Sequence, residues 1–176
     1  MLYLLVALGS AALAIVFVVS RIPSDFSVTR TIPIAAPPEA VFAEVNDLRR
    51  WKAWSPWVDL DPAQVVTFAG PESGTGASMA WVGNNQVGAG KMTVTESHPG
   101  EAVRFRLDFE KPFRATNLAE FTFRTEAGRT VVAWSMTGQS PFFFKAMSLL
   151  MNCRGMIQGQ FDKGLSRLKA IAEAKK

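Results

Sequence analysis

Pro141-Phe-Phe-Phe-Lys-Ala-Met-Ser-Leu-Leu-Met151 runs into Asn152-Cys-Arg-Gly-Met-Ile-Gln-Gly-Gln-Phe161 and then Asp162-Lys-Gly-Leu-Ser-Arg-Leu-Lys-Ala-Ile-Ala-Glu-Ala-Lys175. In the second half, Ile157, Phe161, Leu165, Leu168 and Ala172 recur at the three- and four-residue steps of one helical face. Asp162, Lys163, Ser166, Lys169 and Glu173 turn away from that face, so a long helix gripped along one side is predicted. The first half, 142–151, has only Lys145 and Ser148 as polar interruptions and needs cover on several sides. An unbroken helix would aim Arg154 inward, which predicts a break or kink between Asn152 and Gly155. Gly164 falls on the inner face, where glycine costs about 1 kcal/mol against alanine. Either the backbone approaches its neighbours closely there, the preferred reading, or the position leaves volume for a ligand.

What grips the helix is legible upstream. Phe26–Ile34 alternates as a first strand, with Arg30 sharing the inward parity; a bulge or strand end returning it to water is expected, with a ligand head group as the alternative. Pro37-Pro38 opens a short helix with Val41, Phe42 and Val45 inside, and Asp47 caps a second one that ends at Trp54. Strands follow as hairpins: Val65–Phe68, the run around Met79 and Trp81, and the run around Met92 and Val94. Val103, Phe105, Leu107 and Phe109 then alternate with charged residues, followed by Ala119, Phe121 and Phe123, and by Val132, Trp134 and Met136. Half-buried alternation throughout implies an antiparallel sheet with one wet face and one apolar face, closed by the C-terminal helix.

Before the domain, Met1–Ser20 carries no charged side chain over a length that matches a bilayer core. This predicts a transmembrane anchor at 1–20, a short linker at 21–25 and a folded domain at 26–176. No Lys or Arg precedes the run and no cleavage site follows it, against a secretory signal. Arg21 and Arg30 after the run lean the domain towards the cytoplasm. The bilayer itself is then an expected partner. The chain has 176 residues, 48% of them hydrophobic, a formal charge of +4 and a pI near 9.5. That composition fits one globular domain; Arg104 and Arg106 stand beside Asp108 and Glu110, so no basic stripe favours nucleic acid. The lone Cys153 rules out an internal disulfide and a Cys-rich metal site.

Ile34-Ala-Ala-Pro-Pro-Glu-Ala-Val-Phe42, Trp51-Lys-Ala-Trp-Ser-Pro-Trp57, Gly74-Thr-Gly-Ala77, Trp81-Val-Gly-Asn84, Lys111-Pro112 and Thr130-Val-Val-Ala-Trp134 carry a family resemblance across Phe26–Glu173. The chain resembles the SRPBCC superfamily of START-like, birch-pollen-allergen-like helix-grip proteins, in its polyketide cyclase/dehydrase and lipid transport branch, as a membrane-anchored member. The resemblance implies an α+β helix-grip fold: a seven-stranded antiparallel sheet wrapped around a long C-terminal helix, with two short helices after strand one. It also implies an apolar cavity between sheet and helix. The side chains expected to line it are Trp54, Trp57, Met79, Trp81, Phe105, Phe121, Trp134, Met136, Met147, Phe161 and Gly164, and the same set can equally fill a solid core.

Catalytic patterns are thin. The sequence has no H-x-x-x-H, no Cys-His cluster and no Gly-x-Ser-x-Gly elbow, and the single His98 sits in a His-Pro-Gly turn. Gly88-Ala-Gly-Lys91 lacks the Ser or Thr of a phosphate loop. Asp59 and Asp61 read as turn residues, while Glu96 and Asn117 share inward parity near strand ends. No cofactor or metal is implied. The expected function is binding of a hydrophobic small molecule or lipid, as carrier or sensor, with 142–151 as a lid. The alternatives are a cyclase- or hydratase-type enzyme using Glu96 or Asp61, and an interaction subunit docking onto a membrane protein.

Overall fold

The structure, a computed structural model, describes residues 1–140, 145–146 and 152–175; the side chains at 2, 4–9, 11, 12 and 15 fall outside that description. After helix α1 (Leu2–Arg21) the chain forms β1 (Asp25–Ile34), α2 (Pro38–Asn46), a 3-10 turn at Leu48–Arg50, α3 (Trp51–Trp54) and a second 3-10 turn at Pro56–Asp59. Then come β2 (Val65–Ala69), β3 (Ser78–Val82), β4 (Ala89–His98), β5 (Ala102–Lys111), β6 (Ala115–Glu126), β7 (Arg129–Gln139) and the long helix α4 (Cys153–Ala174). All strand pairs are antiparallel, in the order β1-β7-β6-β5-β4-β3-β2. Hairpins link each neighbour from β2 to β7, and β1 closes on β7 because the helices after it carry the chain across the apolar face to the far edge.

The local reasons are those the residue types supply. Pro38 sits in the first turn of α2, where a missing N–H costs nothing, and the Asp47 side chain accepts from Arg49 N to start the next turn. The expected break before the C-terminal helix is present: Asn152 caps α4, its Oδ1 accepting from Gly155 N at 2.9 Å. Phe161, Leu165, Leu168 and Ala172 are buried beneath α4 as the wheel requires, with Ile157 half-buried. The lid segment 142–151, and Met147 with it, lies outside the described residues apart from Lys145 and Ala146.

Polar groups along both flanks of α4 stitch it down. On one flank Arg30 Nε reaches Asp162 at 3.2 Å, and Glu173 Oε1 accepts from both Ala35 N and Lys169 Nζ. On the other, Asp59 meets Arg167 at 2.7 Å and Lys163 at 2.5 Å. Arg30 therefore needs neither bulge nor strand end; β1 pairs regularly with β7 and the helix brings the counter-charge.

The expected membrane anchor is corrected. Among the described residues, no helix is long and apolar enough to cross a membrane, which overturns the transmembrane assignment of 1–20 and the membrane location and orientation built on it. Of the described side chains in α1, Ser20 turns its hydroxyl back onto Phe17 O at 2.7 Å, and Arg21 closes the last turn over the Phe17 ring at 4.8 Å.

Candidate functional site

The apolar face of the sheet is closed at one end and half-open at the other. At the closed end, Trp51, Trp54, Phe105, Phe121, Trp134 and Phe161 pack ring against ring. Trp134 stacks on Phe161 at 3.9 Å with only 4° between the planes, and on Phe121 at 4.8 Å. Trp51 and Trp54 meet Phe121 edge-on at 5.9 Å, and their indole N–H groups donate to Val45 O and Glu44 O. Trp54, Phe105 and Phe121 are entirely buried. Gly164 belongs to this block: a Cβ there would come within 2.9 Å of Trp134 Cζ3 and 3.0 Å of Pro56 Cδ, so the glycine serves close packing.

The half-open end is one row further along the sheet. Strand register places Met79, Met92, Leu107, Asn117, Gly138 and Phe26 side by side across six strands. Met79, Leu107 and Phe26 in that row are only half-buried, as are Phe109 beyond it, Trp57 in the turn after α3 and Ile157 on α4. Trp81 flanks the row, lying over Gly90 and edge-on to Phe109 at 5.6 Å, and Met136 borders it from the closed side. Among the described residues, two open depressions of about 520 and 540 Å³ lie at this same end. One is bounded by Ser24, Arg114, Thr116, Ser140 and Lys145, the other by Phe26, Ser27, Thr137, Gly138 and Arg154.

The residues expected at the site thus divide. Met79, Trp81 and Met136 lie in or beside the half-open row, Trp57 is half-buried in the turn after α3, and Trp54, Phe105, Phe121, Trp134, Phe161 and Gly164 sit in the closed block. Sequence reasoning did not single out Phe26, Leu107, Phe109 and Ile157. Their inward parity was visible, but parity gives the side of a sheet and not the distance to its cover.

Asn117 is the polar feature of the row. It is 8% exposed, Nδ2 makes only a long contact to Met136 Sδ at 4.0 Å, and Oδ1 is buried with no partner. The carboxylates weighed for catalysis are elsewhere. A register shift between Val94 and Glu96 leaves Thr95 unpaired and turns Glu96 to the wet face, where Arg104 and His98 hold it. The Arg104 hydrogen bond draws the Glu96 carboxyl below its usual range. Asp61 is buried, but Oδ1 accepts from Ala63 N at 3.1 Å and Oδ2 from Asn84 N at 2.7 Å, a loop-capping arrangement. Asp59 is lowered to about 2, chiefly by the Arg167 hydrogen bond and then by Lys163. Glu44, which the sequence did not bring forward, is buried and binds Arg50 at 2.8 Å and Lys175 at 2.7 Å, fastening α2 to the chain's C-terminal end. Among the described residues no group of three His, Cys, Asp or Glu could hold a metal ion.

Comparison with known proteins gives a family and a fold. The family model described as polyketide cyclase / dehydrase and lipid transport matches residues 25–173. No curated protein matches the chain. Among solved structures, protein CV1439 from Chromobacterium violaceum is similar with a TM-score of 0.60 at 15% identity, covering 84% of this chain and 96% of that one. The Aha1 dimer from Colwellia psychrerythraea gives 0.60 at 16% identity, covering 84% and 96%. The di-domain ARO/CYC StfQ from the steffimycin biosynthetic pathway gives 0.62 at 10% identity, covering 86% of this chain and 52% of that one. At these identities the likeness is one of fold.

Proposed function

The chain belongs to the polyketide cyclase/dehydrase and lipid transport family, and on that premise we propose that it binds a hydrophobic small molecule or lipid, as a carrier or sensor, at the half-open end of the sheet's inner face. The observation that carries this reading is the contrast along one apolar surface. Met79, Leu107 and Phe26 stay half-buried one row from Phe105, which is sealed, and Phe109 one row further out is half-buried as well. Methionines at this position suit a wall that adapts to different ligands. The reading involves no covalent chemistry: Glu96 is outside and Asp61 is consumed by backbone donors, so the cyclase or hydratase alternative lacks the cavity acid it needs.

The test uses the full chain. Purified from cells and sprayed under native conditions, it is expected to carry an apolar adduct that denaturation releases. A Leu107→Trp substitution, which fills the open row, is expected to strip the adduct while the protein still melts cooperatively. A chain with no adduct, and no thermal shift across fatty acids, isoprenoid quinones and polycyclic aromatics, refutes the proposal.

A further inference from the structure

The half-open row is apolar except for one group, and that group is incomplete. Asn117 Oδ1 has no donor, although its side chain is more than nine-tenths buried between Leu107 and Gly138 in the row, with Met136 beside it. The oxygen occupies the slot that glycine leaves: a Cβ on Gly138 would fall 2.1 Å from Oδ1, and the Phe26 ring edge lies 3.0 Å from the same point. Turning the amide over would aim its oxygen at the Met136 thioether and forfeit the Nδ2 contact. A buried acceptor left without a donor is disfavoured, and among apolar walls it stands out as a point where a ligand would be recognised. Gln160 Oε1 on α4 is a second buried acceptor without a partner. The unpaired donor Trp134 Nε1 belongs to the closed ring stack instead.

Resting on the binding reading above, we infer that the ligand carries a hydroxyl or N–H donor on an apolar body, and that Asn117 Oδ1 accepts from it. The ligand class is accordingly an alcohol, phenol or amide-bearing lipid rather than a bare hydrocarbon or a fully etherified molecule. Specificity follows from the cost of leaving the acceptor unpaired when the donor is missing.

Matched probes test this: 1-dodecanol against its methyl ether, and 2-naphthol against 2-methoxynaphthalene, each titrated calorimetrically into the full chain. The hydroxyl member of each pair is expected to bind about tenfold tighter, one neutral hydrogen bond's worth. Asn117→Leu is expected to bind alcohol and ether alike, and to melt no lower than the parent because it removes an unpaired polar group. Gly138→Ala, which displaces the carbonyl, is expected to lose the same discrimination. Equal binding of both members by the parent chain overturns the donor inference and leaves the binding reading standing. Discrimination that survives Asn117→Leu, or a marked drop in its melting temperature, overturns it too, since the amide would then be structural. Binding of neither member in either pair overturns both readings.

Discussion

Gly164→Ala and Gly159→Ala form a matched pair on one helix, and together they measure whether the space under α4 is filled. In an α-helix interior alanine is favoured over glycine by about 1 kcal/mol, so both substitutions begin with the same gain. They part at the side chain. Nothing lies within 4 Å of a Cβ at position 159, whereas at 164 it meets Trp134 Cζ3 at 2.9 Å and Pro56 Cδ at 3.0 Å. Neither neighbour yields easily: the Trp134 ring is clamped between Phe121 and Phe161, and Pro56 is a rigid ring in a short 3-10 turn. Overpacking of a rigid core costs about 1–3 kcal/mol, which outweighs the helix gain and leaves Gly164→Ala destabilised by up to about 2 kcal/mol. For a chain of this size, each kcal/mol moves the midpoint by roughly 2–4 °C. Thermal unfolding followed by circular dichroism is therefore expected to rise by a few degrees for Gly159→Ala and to fall by a few degrees for Gly164→Ala. If the two rise together, position 164 has spare volume, and the closed block is a cavity after all.

Three further outcomes follow from the same packing. Phe161→Ala removes a ring that is 1% exposed and stacked on Trp134, with an expected loss of about 3–5 kcal/mol in urea unfolding; a loss near 1 kcal/mol would mean the block repacks freely. The Asp59 carboxyl is held at about 2, against an ordinary 3.8, so its contribution is fully present above pH 4 and disappears as pH falls through 2. The stability difference between the parent and Asp59→Asn is expected to be constant from pH 7 to 5 and to shrink steadily from pH 4 through 2; a difference undiminished at pH 2 refutes the ion-pair account. Deleting Thr95, the unpaired residue of the β4 bulge, is expected to leave a folded chain within about 2 kcal/mol of the parent in urea unfolding, with Glu96 still opposite Arg104; failure to fold would show that the bulge shapes the sheet.

Much of this fold was written in periodicity. Val103, Phe105, Leu107 and Phe109 announce a half-buried strand, and the spacing from Ile157 to Ala172 announces the helix that covers it. Asn152 and Gly155 mark the break because an amide cap and a flexible first turn are local chemistry. The N-terminal assignment is the exception: among the described residues no helix is long and apolar enough to cross a membrane, so the uncharged run at 1–20 does not carry the anchor read from it. Arg30 was misjudged because its partner, Asp162, is 132 residues away on a helix flank that the wheel assigned to solvent.

The site was harder to read than the fold because two single-residue features control it, and neither has a periodic signature. One extra residue at Thr95 reverses the parity of Glu96, converting an apparent cavity acid into a surface partner of Arg104. One missing side chain at Gly138 opens the slot into which Asn117 places its oxygen. The first takes Glu96 off the inner face, and the second leaves a neutral acceptor at the half-open end of the sheet. On the binding reading proposed above, a row of methionine, leucine and phenylalanine with one unpaired acceptor in it would take an apolar molecule through a single donor. Within a family whose name spans both cyclisation and transport, these are the two positions on which the binding proposal rests.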